Sequence, residues 1–108
     1  MSSYNLGNLE EMILLIVAVM NDEAYGVSIT DEYNQQTGND ISLSAVHTVL
    51  RRLEAKGFIE SEMGGATQDR GGRRKRLYKV TKYGFKTLEA IQESRMRLWN
   101  RIPKLGLG

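Results

Sequence analysis

The stretch SLSAVHTVLRRLEAKG, residues 42–57, decides the fold of this chain. Ser42 is a typical helix N-cap, and Gly57 is placed to end a helix in a left-handed turn. Between them, apolar side chains recur at the helical spacing i, i+3, i+7 and i+10, at Leu43, Val46, Leu50 and Leu53. This spacing predicts an amphipathic helix that packs one face on a core.

The opposite face of this helix is short, polar and partly cationic. At about 100° per residue, it presents Ser44, Thr48, Arg51 and Ala55, with His47 and Arg52 at its edges. Small side chains let a helix enter a DNA major groove, where Ser and Thr bond base edges and Arg binds guanine through two hydrogen bonds. Taken alone, the helix fits an ordinary solvated face equally well. Its candidate DNA contacts are Ser42, Ser44, Ala45, His47, Thr48, Arg51 and Arg52.

Positive charge is confined to the second half of the chain. All fifteen Lys and Arg residues follow residue 50, so residues 1–50 carry −7 and residues 51–108 carry +9. The densest run is RGGRRKR, residues 70–76, between two strand-like segments, 58–62 and 77–80. A glycine-containing, Arg-rich hairpin loop suits a phosphate backbone, because its long side chains reach along the polyanion. We therefore predict a DNA-binding wing, with candidate contacts Arg70, Arg73, Arg74, Lys75 and Arg76.

A first helix is predicted from Leu9 to Met20. Asn8 followed by Glu11 forms a capping-box-like start. The helix is apolar on nearly every side, and such a helix must be covered all round. Because one small domain supplies only one layer of cover, the sequence predicts a partner subunit.

A second helix is predicted from Tyr25 or Gly26 to Thr37, with Gly38 as its stop. We expect Gly26 to allow close packing on the first helix. The apolar positions of this helix are Val27, Ile29 and Tyr33.

Thr81 is predicted to cap a long last helix that ends before Pro103. Its apolar stripe consists of Leu88, Ile91, Leu98, Trp99 and Ile102, with spacings typical of a coiled-coil seam. Gln92 and Arg95 interrupt the stripe. Polar residues there fix register, bond an acid on the partner or line a ligand cavity, and the first two roles are commoner. Trp99 is more often a dimer anchor than part of a ligand site.

Together, these elements predict a mostly α fold with a small β-hairpin. Residues 1–80 form a winged helix-turn-helix and residues 81–108 a C-terminal dimerisation helix, within one compact domain overall. The candidate residues of the dimer interface, or of a cavity for a small hydrophobic effector, are Leu9, Met12, Ile13, Ile16, Leu88, Ile91, Gln92, Arg95, Leu98, Trp99 and Ile102.

Composition excludes several other classes of protein. The chain has no cysteine, which rules out a disulfide framework and a thiolate metal site. Its longest apolar run, Met12 to Met20, is too short to cross a bilayer. His47 has no catalytic Asp or Ser nearby in the sequence. We therefore expect a cytoplasmic, non-enzymatic protein without metal or cofactor, whose acidic first half forms a solvated face turned away from DNA.

The chain resembles the PadR family of bacterial transcriptional regulators, in its short form with a single C-terminal helix. The resemblance extends from about Leu6 to Ile102 and rests on an ordered set of motifs: Tyr25-Gly26, residues 42–57, GGRRKR at 71–76, Tyr78-Lys79-Val80-Thr81 and Gly84. It implies a homodimeric winged helix-turn-helix repressor that dimerises through its first and last helices. It also implies that the recognition helix is Ser42 to Lys56.

Two positions depart from the family pattern. Where the family commonly shows Gly-Thr-Leu-Tyr-Pro, this chain has SAVHT at 44–48, so His47 replaces a Tyr that approaches the DNA backbone. Some members bind planar aromatic drugs between paired Trp side chains, and that position matches Arg95 here. The resemblance therefore implies no such drug site.

Two functions remain open from the sequence. The first is a sequence-specific dimeric repressor of double-stranded DNA, with an inverted-repeat operator and a small hydrophobic effector that relieves repression. The second is a winged-helix module for protein interaction or nonspecific nucleic-acid binding. A specificity ratio separates them, because only the first binds a defined inverted repeat far more tightly than random duplex.

Overall fold

The computed structural model describes residues 6–64 and 75–104. These ranges contain α1 (Asn8–Met20), α2 (Gly26–Thr37), α3 (Leu43–Ala55), β1 (Ile59–Met63), β2 (Arg76–Val80) and α4 (Lys82–Trp99), with a 3-10 turn (Asn21–Glu23) after α1. The two strands pair antiparallel, with Ile59 opposite Val80 and Met63 opposite Arg76. The predicted mostly α fold with a small β-hairpin and a long last helix is confirmed.

The core is built where α1, α2, α3 and the hairpin meet. Side chains that lose all contact with water contribute about 1.5–3 kcal/mol each. The members of this core with no measurable exposure include Ile13, Leu14, Val17, Ile29, Val46, Leu50 and Leu53. Ile16 belongs to the same cluster. Ile13 and Ile16, which were predicted to face a partner or an effector, thus lie inside their own chain.

The helix starts follow the predicted chemistry, with one shift. Ser42 Oγ accepts a hydrogen bond from Ala45 N at 3.1 Å, as predicted for α3. Thr81 Oγ1 likewise accepts from Gly84 N at 3.0 Å and caps α4. The α1 start differs: the N-cap is Gly7, whose N–H donates to Glu10 Oε1 at 3.0 Å. The expected pair of Asn8 and Glu11 was therefore wrong by one residue.

The buried stripe of α3 also differs from the predicted one. Its buried residues are Val46, Val49, Leu50 and Leu53, whereas Leu43 is 40% exposed. Leu43 is the first residue of the helix, and its side chain lies at the α2 N-terminus beyond the core. In α2, Ile29 and Tyr33 are buried as predicted, but Val27 is 50% exposed.

Gly57 turns the chain from α3 into the hairpin. Its φ of 85° is the left-handed conformation that glycine adopts without strain. Phe58 N then donates to Leu53 O at 3.0 Å and closes the helix end. The strands were predicted at 58–62 and 77–80; β1 begins one residue later and ends one later, and β2 begins one earlier.

The last helix is covered only in its first half. Thr87 and Leu88 are buried, and Ile91 is half-buried. Every residue from Gln92 to Lys104 is exposed in the single chain. The large exposed apolar side chains on this half of α4 are Met96, Leu98 and Trp99, and the exposed Ile102, predicted as part of the same helical stripe, lies beyond the end of the helix.

Candidate nucleic-acid interface

The outer face of α3 presents short polar side chains to solvent. Ser44, Thr48, Arg51 and Arg52 are all exposed. Thr48 Oγ1 donates to Ser44 O at 3.1 Å, so this hydroxyl keeps only its accepting capacity for a partner. Ser42 Oγ, which caps the helix, lies 3.4 Å from Ser44 Oγ. The two arginines supply the positive charge of this face.

Two other candidates on α3, Ala45 and His47, are half-buried. The His47 ring lies against the N-terminus of α2, where a Cβ added to Gly26 would stand 2.9 Å from His47 Cε1. Leu43 Cδ1 would be 3.2 Å from the same Cβ. Gly26 therefore allows close packing on α3, and not on α1 as predicted. His47 lies at the edge of the polar face, where the helical wheel put it.

The base of the wing is held by two cations. Lys75 Nζ stands 4.0 Å from the ring centroid of Tyr25, the residue that precedes α2. Arg76 Nη1 donates to Ser61 Oγ on the neighbouring strand at 3.0 Å. These contacts hold the Lys75 side chain beside the start of α2 and the Arg76 side chain beside β1. The other predicted wing contacts, Arg70, Arg73 and Arg74, lie outside the described residues.

Tyr78 of β2 lies in the hydrophobic core behind the base of the wing. Its side chain is buried, and burial raises the pKa of its hydroxyl. The charges of Arg76 and Arg51 oppose this rise in pKa, and the charge of Glu54 adds to it. The Tyr78 hydroxyl therefore stays neutral at physiological pH.

Two ion pairs that join α1 to the end of α3 and to α4 were not predicted from the sequence. Glu10 accepts from Lys56 Nζ at 3.1 Å, and Glu11 accepts from Arg95 Nη2 at 2.8 Å. Glu10 and Glu11 are both buried, so they do not belong to the solvated acidic face that was predicted. The partners lie 46 and 84 residues away along the chain, where no local pattern shows them.

The pKa of Glu10 reflects this environment. Burial raises it, but the Gly7 N–H and the Lys56 ammonium lower it by more, so that it falls below the usual 4.5. The carboxylate is charged at neutral pH. It ties the start of α1 to Lys56, the C-cap of α3.

Apolar side chains are also exposed on α4 and α1. On α4, Leu98 is 64% and Trp99 66% exposed; on α1, Val19 is 76% exposed. Leu15 of α1 is also exposed. Among the other residues predicted for the dimer interface or effector cavity, Leu9 and Met12 are half-buried, and Gln92 and Arg95 are exposed.

Within residues 6–64 and 75–104, no group of His, Asp or Glu side chains has the spacing of a metal site. No helix in these ranges is both long enough and apolar enough to span a bilayer.

Known proteins share both the sequence pattern and the fold. The family described as the transcriptional regulator PadR-like family matches residues 13–90. An uncharacterized protein of Lysinibacillus sphaericus is 31% identical over 101 residues, which cover 92% of this chain and 84% of that protein.

Two solved structures show the extent of the structural likeness. A PadR family transcription regulator from Clostridium difficile R20291 has a TM-score of 0.69 and 25% identity, over 94% of this chain and 100% of that one. A PadR-like transcriptional regulator from Bacillus cereus strain ATCC 14579 has a TM-score of 0.72 and 24% identity, over 93% of this chain and 92% of that one. The family match spans α2, α3, the hairpin and the first half of α4, the elements that build the interface described above. The chain therefore belongs to the transcriptional regulator PadR-like family, and it is a DNA-binding regulator of transcription, not an enzyme.

Proposed function

We propose that this regulator is a homodimeric, sequence-specific repressor of double-stranded DNA. The observation that carries the proposal is that one chain exposes two unlike surfaces. The α3 surface is polar and cationic around Thr48 and Arg51, while the α4 surface is apolar around Leu98 and Trp99. The first suits a DNA groove, and an exposed apolar stripe favours a protein partner.

DNA binding would place α3 in the major groove with the wing on the adjacent backbone. Arg51 would read a guanine, and Ser44 and Thr48 would contact neighbouring base edges. The flanking contacts would come from Ser42, Ala45, His47, Arg52, Lys75 and Arg76, together with Arg70, Arg73 and Arg74 of the wing. Two such units related by a dimer axis meet successive major grooves about 34 Å apart, so the operator would be an inverted repeat.

Dimerisation would use α4 and the exposed side of α1. Leu15 and Val19 of α1 are exposed, whereas Ile13 and Ile16 are committed to the chain's own core. A second copy that covers Leu98, Trp99 and Val19 would cover the large apolar side chains with the highest exposed fractions on the two helices. In this proposal residues 1–80 bind DNA and residues 81–108 supply the dimer contact.

A small hydrophobic effector would bind between α1 and α4 of the dimer. Met12 and Ile91 are half-buried there and leave apolar surface that a second copy or a ligand could cover. Glu10 of α1 is paired with Lys56 at the end of α3, and through this ion pair a ligand that moves α1 would shift the recognition helix. Such a ligand would relieve repression if it binds the DNA-free dimer more tightly.

A reporter gene tests the repressor proposal. Its promoter would carry a duplex that the protein selects from random DNA. Wild-type protein should lower reporter output, and Arg51→Ala should restore it. Trp99→Ala should also restore output, because a monomer binds only one half-site. Increased output with wild type would show activation, and unchanged output despite binding in vitro would leave a nonspecific or protein-interaction module.

A further inference from the structure

Three side chains form a polar chain between the recognition helix and the wing. Arg76 Nη1 of β2 donates to Ser61 Oγ of β1 at 3.0 Å, and Ser61 Oγ donates to Glu54 Oε2 of α3 at 2.9 Å. Ser61 thus uses its one proton and accepts one, so its hydroxyl is satisfied from both sides. The recognition helix α3 and the two strands of the hairpin contribute one member each.

Arg76 is the member that can reach DNA. It is exposed and begins β2, at the end of the hairpin nearest the wing loop. A long side chain free in solvent loses conformational freedom when it binds a phosphate, and fixing it beforehand reduces that cost. The bond to Ser61 fixes the Arg76 guanidinium before DNA arrives.

Glu54 stands on the recognition helix where an acid is electrostatically unfavourable for DNA binding. It is exposed and lies three residues after Arg51, so the two side chains are neighbours on the helix surface. A carboxylate near phosphates repels them and lowers affinity. The Glu54 carboxylate accepts a hydrogen bond from Ser61 and so orients the hydroxyl that holds Arg76. This orientation of Arg76 offsets the affinity that the repulsion costs.

We propose that Glu54 and Ser61 are positioning residues for DNA binding. Through Ser61, Glu54 holds the Arg76 guanidinium at the base of the wing, so that Arg76 meets a phosphate next to the bases that α3 reads. This inference rests on the proposed function, because it requires α3 and the wing to bind one duplex together.

The sign of one mutational effect tests the inference. Removing an acid near DNA raises affinity if charge alone acts, but Glu54→Ala also releases Ser61 and Arg76 and should therefore weaken binding. We expect about a tenfold loss for a duplex selected by the wild-type protein. Glu60→Ala is the matched control: it removes the same charge from an exposed residue of β1 whose carboxylate forms no hydrogen bond or ion pair within residues 6–64 and 75–104, and it should not weaken binding.

Variants of Ser61 separate positioning from charge. Ser61→Ala removes the bridging hydroxyl without changing any charge, and it should weaken binding and flatten the plot of log affinity against log salt by roughly one unit per subunit. Ser61→Thr restores a hydroxyl and should restore both values. Circular dichroism and thermal unfolding of each variant would confirm that it is folded. If Glu54→Ala does not fold, the comparison of Ser61→Ala with Ser61→Thr still tests the inference.

The outcomes are distinct. If wild type binds its selected duplex and both Glu54→Ala and Ser61→Ala bind equally well or more tightly, the inference is wrong and the proposed function stands. If wild type itself shows no sequence preference, the proposed function fails and the inference fails with it. Loss in both variants, with recovery in Ser61→Thr, supports both.

Discussion

The Arg95 guanidinium donates to the buried Glu11 carboxylate at 2.8 Å and fixes α4 to the first turn of α1 in the same chain. The sequence placed Arg95 in an apolar stripe, where a partner acid, a register role or a ligand cavity was expected. In the single chain, Arg95 already forms an ion pair with Glu11 of the same chain. The pair therefore holds the exposed half of α4 at a defined angle for whatever covers Trp99.

Arg95→Ala should lower the free energy of unfolding by about 1–2 kcal/mol, because it leaves the Glu11 carboxylate buried without its cation. Urea denaturation at one fixed protein concentration measures this. Arg97→Ala is the control: the Arg97 side chain is exposed and donates to the Ser94 hydroxyl at 3.2 Å. It should change stability by less than about 0.5 kcal/mol. Equal losses in the two variants would show that the Glu11 pair adds nothing.

The Glu10 carboxyl should make stability depend on pH in the acid range. Its pKa lies below 4.5 in the folded chain, despite burial, because of Gly7 N–H and Lys56. A carboxyl group whose pKa is lowered by folding stabilises the fold at any pH above its pKa in the unfolded chain. This stabilisation is lost as the pH falls through its pKa in the folded chain. Glu10→Gln should therefore be less stable than wild type at neutral pH, and the difference should vanish at low pH. Glu89→Gln, at an exposed position of α4, should leave the pH profile unchanged.

Gly84 lies where α4 passes over the turn before β1. A Cβ at this position would overlap the carbonyl oxygen of Phe58, which is backbone and has little freedom to move. Gly84→Ala should lower stability by about 1–3 kcal/mol, even though alanine favours a helix. Lys86→Ala in the same helix is exposed and should be nearly neutral. A thermal unfolding midpoint equal to that of wild type would show that the backbone accommodates the methyl group.

Trp99→Ala should weaken the dimer by about 3–5 kcal/mol if Trp99 is a buried anchor in the dimer, as its 66% exposure in the single chain permits. Sedimentation equilibrium over a concentration series gives the dissociation constant. Asn100→Ala, one residue later and also exposed, should leave it within a few-fold. A stable monomer of wild type at micromolar concentration would contradict the dimer itself.

Local patterns were sufficient for the elements of the fold. The caps Ser42 and Thr81 and the left-handed Gly57 are short-range signals, because the groups that they satisfy lie within a few residues. The same holds for the helical repeat of the buried α3 residues. Leu43 was wrongly predicted to be buried, because helical spacing does not show where a helix projects beyond the core. The Leu43 side chain is 40% exposed because it lies on such a projecting end.

The site was less predictable than the fold because its contacts join distant parts of the chain. Arg51 and Thr48 could be placed on one exposed face from the helical repeat alone. The hydrogen bonds that connect the wing to α3 could not be predicted in this way, because Ser61 and Arg76 meet only after the hairpin has formed. The partner of Glu10, 46 residues away, is likewise visible only in the folded chain.

Arg51→Ala should separate base reading from backbone binding. If Arg51 binds a guanine through two hydrogen bonds, the substitution should cost about 1–3 kcal/mol on a selected duplex and scarcely change binding to random DNA. Binding isotherms on both duplexes at one salt concentration provide the comparison. An equal loss on the two would make Arg51 a phosphate contact and leave base reading to Ser44, His47 and Thr48.

The most direct test of the account is the specificity ratio of the wild-type protein, measured at physiological salt. A duplex selected from random DNA should contain an inverted repeat whose half-site centres lie about ten base pairs apart, or a multiple of that. The protein should bind this duplex at least about a thousandfold more tightly than a scrambled duplex of the same composition. Selection that enriches no repeat, together with equal affinity for the two duplexes, would contradict sequence-specific regulation by this chain.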